Sequence, residues 1–335
     1  MRTQLPCLAA AGLVACVVCA VCAACGGAPR TGADGSPPPP PAPGGAKLAG
    51  TAPLPAGEAF GPAFGPDGGV LLAAGDRLLR FDPRTLAPVD ARPITTIPRR
   101  GAPAVVLHGA QGDAAIEPAA AARIVVAAPA GYECGAASFS AGAARLSRNC
   151  VIGGDEDRVV VQDAGTGAVI AELAEFQTAA PVRAGTITDS GNFVFWRARA
   201  SGAFEEIKSK VTGPMTSSHS VMSPDERALF TVTDKSWMPD DRTPARVLDP
   251  ANGQVRYTLP TDIDWVYFSP DGQRFAAVHL GEDRKVTQVT IHRTADGSLA
   301  ATLDERAVDV VAFAADAHAL ALRGGGALKL YVDVP

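Results

Sequence analysis

The chain has 335 residues, 47% of them hydrophobic but only 6% aromatic, with 30 basic against 35 acidic side chains. That length and apolar content support a large core built mainly from Ala, Val and Leu, arranged as one repeat array or as two ordinary domains. The acidic balance and the lack of a basic stripe exclude a surface made for phosphate neutralisation, so nucleic acid is not an expected partner.

Met1 to Ala24 carries one basic residue, Arg2, before an apolar run from Leu5 broken only by Pro6 and Gly12. A short basic start, an apolar middle and small residues at the end describe an export signal better than a spanning helix. The run closes as Val21-Cys22-Ala23-Ala24-Cys25-Gly26. This resembles the bacterial lipoprotein box, in which small residues precede a cysteine that is diacylated and becomes the new N-terminus. Cys22 stands where leucine is usual, and Leu13-Val14-Ala15-Cys16 matches the box better letter for letter. Cleavage before Cys16 would leave a short apolar core and a mature chain that opens apolar, so position favours Cys25 as the lipidation site. Ordinary cleavage near Ala24, giving a secreted protein, is the alternative. The resemblance implies a lipid anchor in the bacterial cell envelope. Gly26 in place of aspartate leaves the outer membrane or the periplasmic side as the destination.

Residues 25–46 are rich in Pro, Gly and Ala, with a proline run from Pro37 to Pro41. Such a composition buries too little apolar surface to fold, so it reads as a disordered tether. Removing the leader takes away Arg2 alone and leaves 29 basic against 35 acidic residues. Five of the seven cysteines lie in Met1–Cys25, leaving Cys134 and Cys150. These two flank the reversal at Ala141-Gly142, which can set them opposite each other on paired strands. In an exported chain a disulfide between them is expected, with two buried free thiols as the alternative. Neither has a nearby histidine to activate it as a nucleophile.

From Lys47 onward, apolar runs of four to eight residues alternate with turn residues, the pattern of an all-β array. Three markers set its period. The first is a tight reversal: Phe64-Gly65-Pro66-Asp67-Gly68, Met222-Ser223-Pro224-Asp225-Glu226 and Phe268-Ser269-Pro270-Asp271-Gly272, with weaker copies at Ser140-Ala141-Gly142, Thr188-Asp189-Ser190-Gly191 and Phe313-Ala314-Ala315-Asp316. Proline presets φ at the second turn position, aspartate hydrogen-bonds the local backbone and glycine tolerates the exit geometry. The second marker is an Asp-Arg pair one strand later, at Asp76-Arg77, Asp157-Arg158, Asp241-Arg242 and Asp283-Arg284, spaced by 81, 84 and 42 residues. The unit is therefore about 41 residues, with skipped phases near Glu117, Arg199 and Arg323. The third marker ends the third strand, as in Asp82-Pro83-Arg84-Thr85, Asp163-Ala164-Gly165-Thr166-Gly167, Asp249-Pro250-Ala251-Asn252-Gly253 and Thr294-Ala295-Asp296-Gly297.

Four strands per unit, with these turns, resemble the WD-repeat-like bacterial β-propellers of TolB type. The resemblance covers about Lys47 to Pro335, although no unit has the Gly-His and Trp-Asp signatures of eukaryotic WD repeats. It implies seven four-stranded blades in residues 47–335. The poor stretch Arg92–Gly135, with an insertion at Gly109–Ala122, leaves six blades open. After Phe313 only two strands follow, so the C-terminal blade is one strand short. In the family an N-terminal segment fills that gap, and Lys47–Pro55 is placed to close the ring.

Propellers host enzymes and pure binding proteins alike, so a site has to be argued from residues. The Asp-Arg loops join second to third strands and open on one face. They are either a charged ring for a partner or solvated hairpin ends. The longest, Asp234–Thr243, adds Trp237 and Met238, side chains that dominate interface energetics or else pack onto the next blade. The partner-binding candidates are thus Asp157, Arg158, Trp237, Met238, Asp241, Arg242, Asp283 and Arg284. His108, His219, His279, His292 and His318 have no metal spacing. Ser217-Ser218-His219 lacks a nucleophile elbow, and Gly324-Gly325-Gly326 joins strands rather than opening a helix. No catalytic residue, metal or cofactor is assigned. The sequence reads as an exported, lipid-anchored propeller that serves as a scaffold for a protein partner whose identity it does not give. The alternatives are a propeller hydrolase or lyase with its active site at the channel, and a carbohydrate-recognition module. Convergence of His, Glu and Arg side chains on the channel would favour the enzyme.

Overall fold

The computed structural model describes residues 45–335 apart from 99–102, 110–111, 155, 174–177, 182–184, 190–193, 200–203, 209–218, 233–243, 282 and 284. The leader and Cys25 lie outside the described residues. The described residues form seven four-stranded sheets. The first strands of successive sheets touch around a closed ring, except that the second sheet in chain order meets the first strand of the third chiefly through its own second strand. The first strands therefore line a central axis and the later strands step outward. The chain is an all-β propeller, and each sheet is a blade.

Blade 1 comprises Ala59–Phe64, Val70–Ala74, Arg77–Phe81 and Pro88–Pro93. Blades 3, 4, 5 and 6 repeat this inner-to-outer order. They begin with Tyr132–Phe139, Thr178–Pro181, His219–Met222 and Ile263–Phe268. Blade 2 departs from it. Val105–Gly109, Gly112–Glu117 and Ala122–Ile124 are its first three strands, and its outer strand is Thr95–Ile97, running parallel to Ala122–Ile124. The expected insertion at Gly109–Ala122 is therefore the second strand and its turns. The fourth strand comes from upstream because the outer strand of blade 1 continues, through Ile94 alone, onto an edge that would otherwise be bare. Blade 4 brings a second correction. Thr188 and Asp189, the first residues of the expected reversal, belong to the blade's second strand, Gly185–Asp189, which pairs with Thr178–Pro181, while Ser190 and Gly191 lie outside the described residues. Arg199 then ends its third strand instead of marking a loop between second and third.

The first-turn chemistry repeats between blades. Ser269 Oγ donates to Asp271 Oδ1 (2.6 Å) and accepts from the Arg274 amide (2.9 Å), while Asp271 Oδ1 accepts from the Gln273 amide (3.0 Å). In blade 5, Ser223 Oγ donates to Asp225 Oδ1 (2.6 Å) and accepts from the Ala228 amide (2.9 Å). The serines are buried, so their hydroxyls replace the water that would otherwise satisfy the turn amides. Asp163 and Asp82 do the same at the third turn, each accepting two backbone amides and a threonine hydroxyl.

Apolar packing lies in layers between adjacent blades. One layer, between blades 5 and 6, holds Phe230, Val247, Ile263, Val266 and Phe275. Another, between blades 6 and 7, holds Val289, Ile291, Val311, Leu320 and Leu322. Phe230 and Phe275 are fully buried, and truncating either to alanine would cost about 3–5 kcal/mol. A polar chain runs through blade 6: Asp262 Oδ2 to His279 Nδ1 (2.9 Å), His279 Nε2 to Thr290 Oγ1 (2.6 Å), Thr290 Oγ1 to His292 Nε2 (2.8 Å), and His292 Nδ1 to the Gly297 carbonyl (2.9 Å). The carbonyl only accepts, so His292 Nδ1 carries a proton. The neutral ring then takes the Thr290 hydroxyl proton at Nε2, and Thr290 Oγ1 accepts from His279. His279 thus donates at Nε2, and the contact of its Nδ1 with Asp262 requires one further proton between them.

Blade 7 consists of Val310–Phe313, Ala319–Gly324 and Ala327–Val332, and its fourth strand is Lys47–Pro53 from the other end of the chain. Lys47 pairs with Val332, Ala52 with Leu328 and Pro53 with Ala327, and the Leu54 amide donates to the Gly326 carbonyl (2.9 Å). The exposed Lys47–Asp333 ion pair (3.0 Å) adds little. Ala52 and Leu54 instead pack with Val70, Leu72, Phe81, Leu328 and Leu330 across the seam between blades 7 and 1. At Gly50 a Cβ would come within 2.7 Å of the Thr85 carbonyl oxygen, so the closing strand passes blade 1 at a distance only glycine permits. Glu305 fixes the same seam from the other side. It is 5% exposed, with one oxygen on Lys329 Nζ (2.7 Å) and the other accepting the Tyr331 hydroxyl.

Deleting Lys47–Leu54 should lower the melting temperature by many degrees, whereas deleting Gly26–Pro43 should leave it nearly unchanged; equal melting temperatures would refute closure by this strand. Acid should also weaken the fold through blade 6. Burial, helped by the charge of His279, holds His292 below the ordinary imidazole value of 6.5, so the unfolded chain binds the proton first as pH falls. This stability is complete above pH 6.5 and is lost as pH drops through that value toward the folded one. Urea melts at pH 7.5 and 5.5 should show the loss, and His292→Leu should reduce it.

Candidate functional site

Of the Asp-Arg candidates, Asp283 lies on the turn between the second and third strands of blade 6, whereas Asp157 and Arg158 lie inside the third strand of blade 3, paired with Val151 and Cys150, and make no ion pair with each other. Arg158 Nη2 binds Glu156 (2.6 Å) and its Nη1 donates to the Asp157 carbonyl (2.9 Å). Asp283 pairs with Lys285 (2.9 Å), and that hydrogen bond holds its carboxyl below the usual range. Both sets are solvated. Trp237, Met238, Asp241, Arg242 and Arg284 lie outside the described residues. Cys134 and Cys150 face each other on the first two strands of blade 3, with their sulfurs bonded and their Cα atoms 4.0 Å apart.

A cluster that the repeat pattern does not mark occupies the axis. His108, on the innermost strand of blade 2, and Tyr267, on the innermost strand of blade 6, bring their rings to 6.5 Å between centroids. Blades 7 and 1 separate these two strands around the ring, so the contact is made across the channel. His108 Nδ1 is held by Asp113 Oδ1 (2.7 Å), and the other oxygen of Asp113 accepts the Phe139 amide of blade 3 (2.8 Å). The Asp113 side chain is 9% exposed and that of His108 is 48% exposed, so a fixed carboxylate orients an imidazole that water reaches from the axis. Enclosure by the ring opposes charge on His108. The Asp113 hydrogen bond and charge outweigh it and hold the imidazole above its ordinary value.

The Tyr267 hydroxyl donates to the Asp309 carbonyl of blade 7 (2.9 Å). Burial pushes the phenol well above its usual range, against the nearby charge of Arg323 and with the help of Asp309, Asp113 and Asp264. Arg323 ends the second strand of blade 7 and is 5% exposed. It donates through Nη1 to the Ala59 carbonyl, the first residue of blade 1's inner strand. Burial lowers its pKa, which Asp309 and Tyr267 partly restore. Four blades thus supply one polar cluster: His108 and Asp113 from blade 2, the Phe139 amide from blade 3, Tyr267 from blade 6, and Asp309 and Arg323 from blade 7. Among the described residues no group of three His, Cys, Asp or Glu side chains is disposed to hold a metal ion.

Nothing in the sequence marks His108, which has no metal spacing and sits in the least regular unit. Tyr267 lies in the best-formed hairpin, where it looks like one more apolar strand residue. At the rim, an apolar cleft of about 570 Å³ separates the outer strands of blades 7 and 1, lined by Leu54, Phe81, Val89 and Ala91 with Pro53 and Pro88. Asp113→Asn should move the His108 titration downward, as followed by imidazole proton resonances; an unchanged titration would mean that Asp113 does not set it.

No protein-family model matches the chain, and no curated protein matches it. Among solved structures it is similar to the β-propeller domain of Myceliophteria thermophila Cps50 (Swd1), with a TM-score of 0.56 at 13% identity, over 86% of this chain and 99% of that one. At that identity the likeness is one of fold: the chain is a β-propeller.

Proposed function

We propose that this propeller is an exported, lipid-anchored scaffold of the bacterial cell envelope that binds a protein partner. The observation that carries the reading is the apolar cleft at the closing seam, about 570 Å³ in volume, set on a ring whose blades hold it rigid. Leu54 and Val89 offer apolar surface there, and Arg80 and Asp90 supply a polar rim, the composition of a protein contact rather than of a cofactor pocket. Export is supported by the apolar leader and by the Cys134–Cys150 disulfide, a bond that lasts in oxidising compartments. The lipid anchor rests on Cys25 within its box of small residues. Trp237 and Met238, with the exposed Asp157 and Asp283 and the half-buried Arg158, are further candidate contact residues.

Mass spectrometry of the protein from a bacterial envelope should find Cys25 diacylated and at the N-terminus, and Cys25→Ser should release the protein from the membrane fraction. Unaltered membrane partitioning of that variant would overturn the anchor. Crosslinking of the anchored protein should recover a partner that Val89→Glu or Trp237→Ala depletes; a partner list unchanged by both would remove these surfaces.

A further inference from the structure

Arg323 and His108 share an unusual condition. A guanidinium that is 5% exposed normally meets a carboxylate, yet Arg323 makes no ion pair among the described residues and spends one N–H group on the Ala59 carbonyl. Asp309 offsets its charge through space without engaging those donors. His108 is held through Nδ1, and among the described residues none engages its Nε2. Tyr267 links the two: its ring meets that of His108, and its hydroxyl donates to the Asp309 carbonyl, whose own amide donates to the Arg323 carbonyl (2.7 Å). The neighbouring carboxylates do not fill these positions. Asp113 has both oxygens occupied, by His108 and by the Phe139 amide. Asp264 acts on Tyr267 from blade 6 as Asp309 does from blade 7.

We propose that the axial channel is a binding site for a small oxyanion, a carboxylate or a phosphate, held between His108 Nε2 and the free N–H groups of Arg323 beside the Tyr267 ring. The forked guanidinium suits two oxygens of one anion, and the imidazole adds a charge-assisted hydrogen bond from across the ring. Enclosure by the blades lowers the local dielectric and strengthens both contacts relative to open solvent. Asp113 acts as a positioning residue: it keeps one His108 proton on Nδ1 and favours the second proton that makes Nε2 a donor. The site goes beyond the scaffold reading and does not depend on it, since it lies at the axis and the cleft lies at the rim.

Calorimetric titration of the full chain with inorganic phosphate and, separately, with succinate tests the proposal. Binding of phosphate alone assigns a phosphate ligand, and binding of succinate alone assigns a carboxylate. His108→Gln and Arg323→Lys should each weaken the bound anion by about ten-fold or more, the scale of a lost charge-assisted hydrogen bond. Affinity should also fall as pH rises through the His108 titration. His108 is half exposed, so its variant keeps the fold and the test stands even if Arg323→Lys proves unstable by circular dichroism. No heat with either anion, or equal affinity in wild type and His108→Gln, would overturn the site.

Discussion

The architecture depends on one antiparallel pairing, Lys47–Pro53 against Ala327–Val332. A ring of sheets has no free end to fray, whereas an open array would expose the third strand of blade 7 as an edge and the apolar faces of blades 7 and 1 as surface. The pairing joins residues nearly the whole chain apart. Its long closing loop makes it costly to form before the intervening blades have shortened the span between the two ends. The close approach at Gly50 and the Glu305 contacts with Lys329 and Tyr331 converge on this seam. So does Arg323, which reaches from blade 7 to the first residue of blade 1's inner strand. The axial cluster inherits its geometry from closure, because Arg323, Asp309 and His108 belong to blades on either side of the seam.

Energy within the ring is divided between two kinds of contact. Between blades, small aliphatic side chains and a few phenylalanines interdigitate, and this non-directional packing sets stability. Inside blades, polar groups are satisfied one by one: serine and aspartate at the first turns, aspartate and threonine at the third, and the Asp262–His279–Thr290–His292 chain in blade 6. These contribute modestly when made and cost more when broken, so they specify register and turn geometry more than they add stability. At the axis a buried guanidinium keeps N–H groups, and an imidazole keeps a ring nitrogen, that no described residue engages. Departures of this kind from local satisfaction mark places where a fold has been bent toward a ligand.

Much of the fold is legible in the sequence because its signals are local. A Ser-Pro-Asp-Gly turn acts through its own backbone, and the observed bonds of Ser269 and Asp271 are those that the residue types imply. Recurrence of such turns gives the period, and the missing last strand points to Lys47. Blade 2 reads as carrying an insertion because its outer strand lies upstream of its inner one, an order that no repeat phase reveals. Blade 4 is misphased because Thr188 and Asp189, read as opening a reversal that lacks proline, belong to its second strand.

The axial site is illegible for a different reason. His108 and Tyr267 are 159 residues apart in the sequence and belong to opposite sides of the ring. Nothing near either one distinguishes it from a strand residue packed in a core. The strand and turn alphabet, the repeat and the need for a closing strand are written in the amino-acid order, since they follow from interactions within a few residues or from counting strands. Which side chains meet at the axis, and which donors remain unspent there, is settled in three dimensions, because both depend on the curvature and closure of the whole ring.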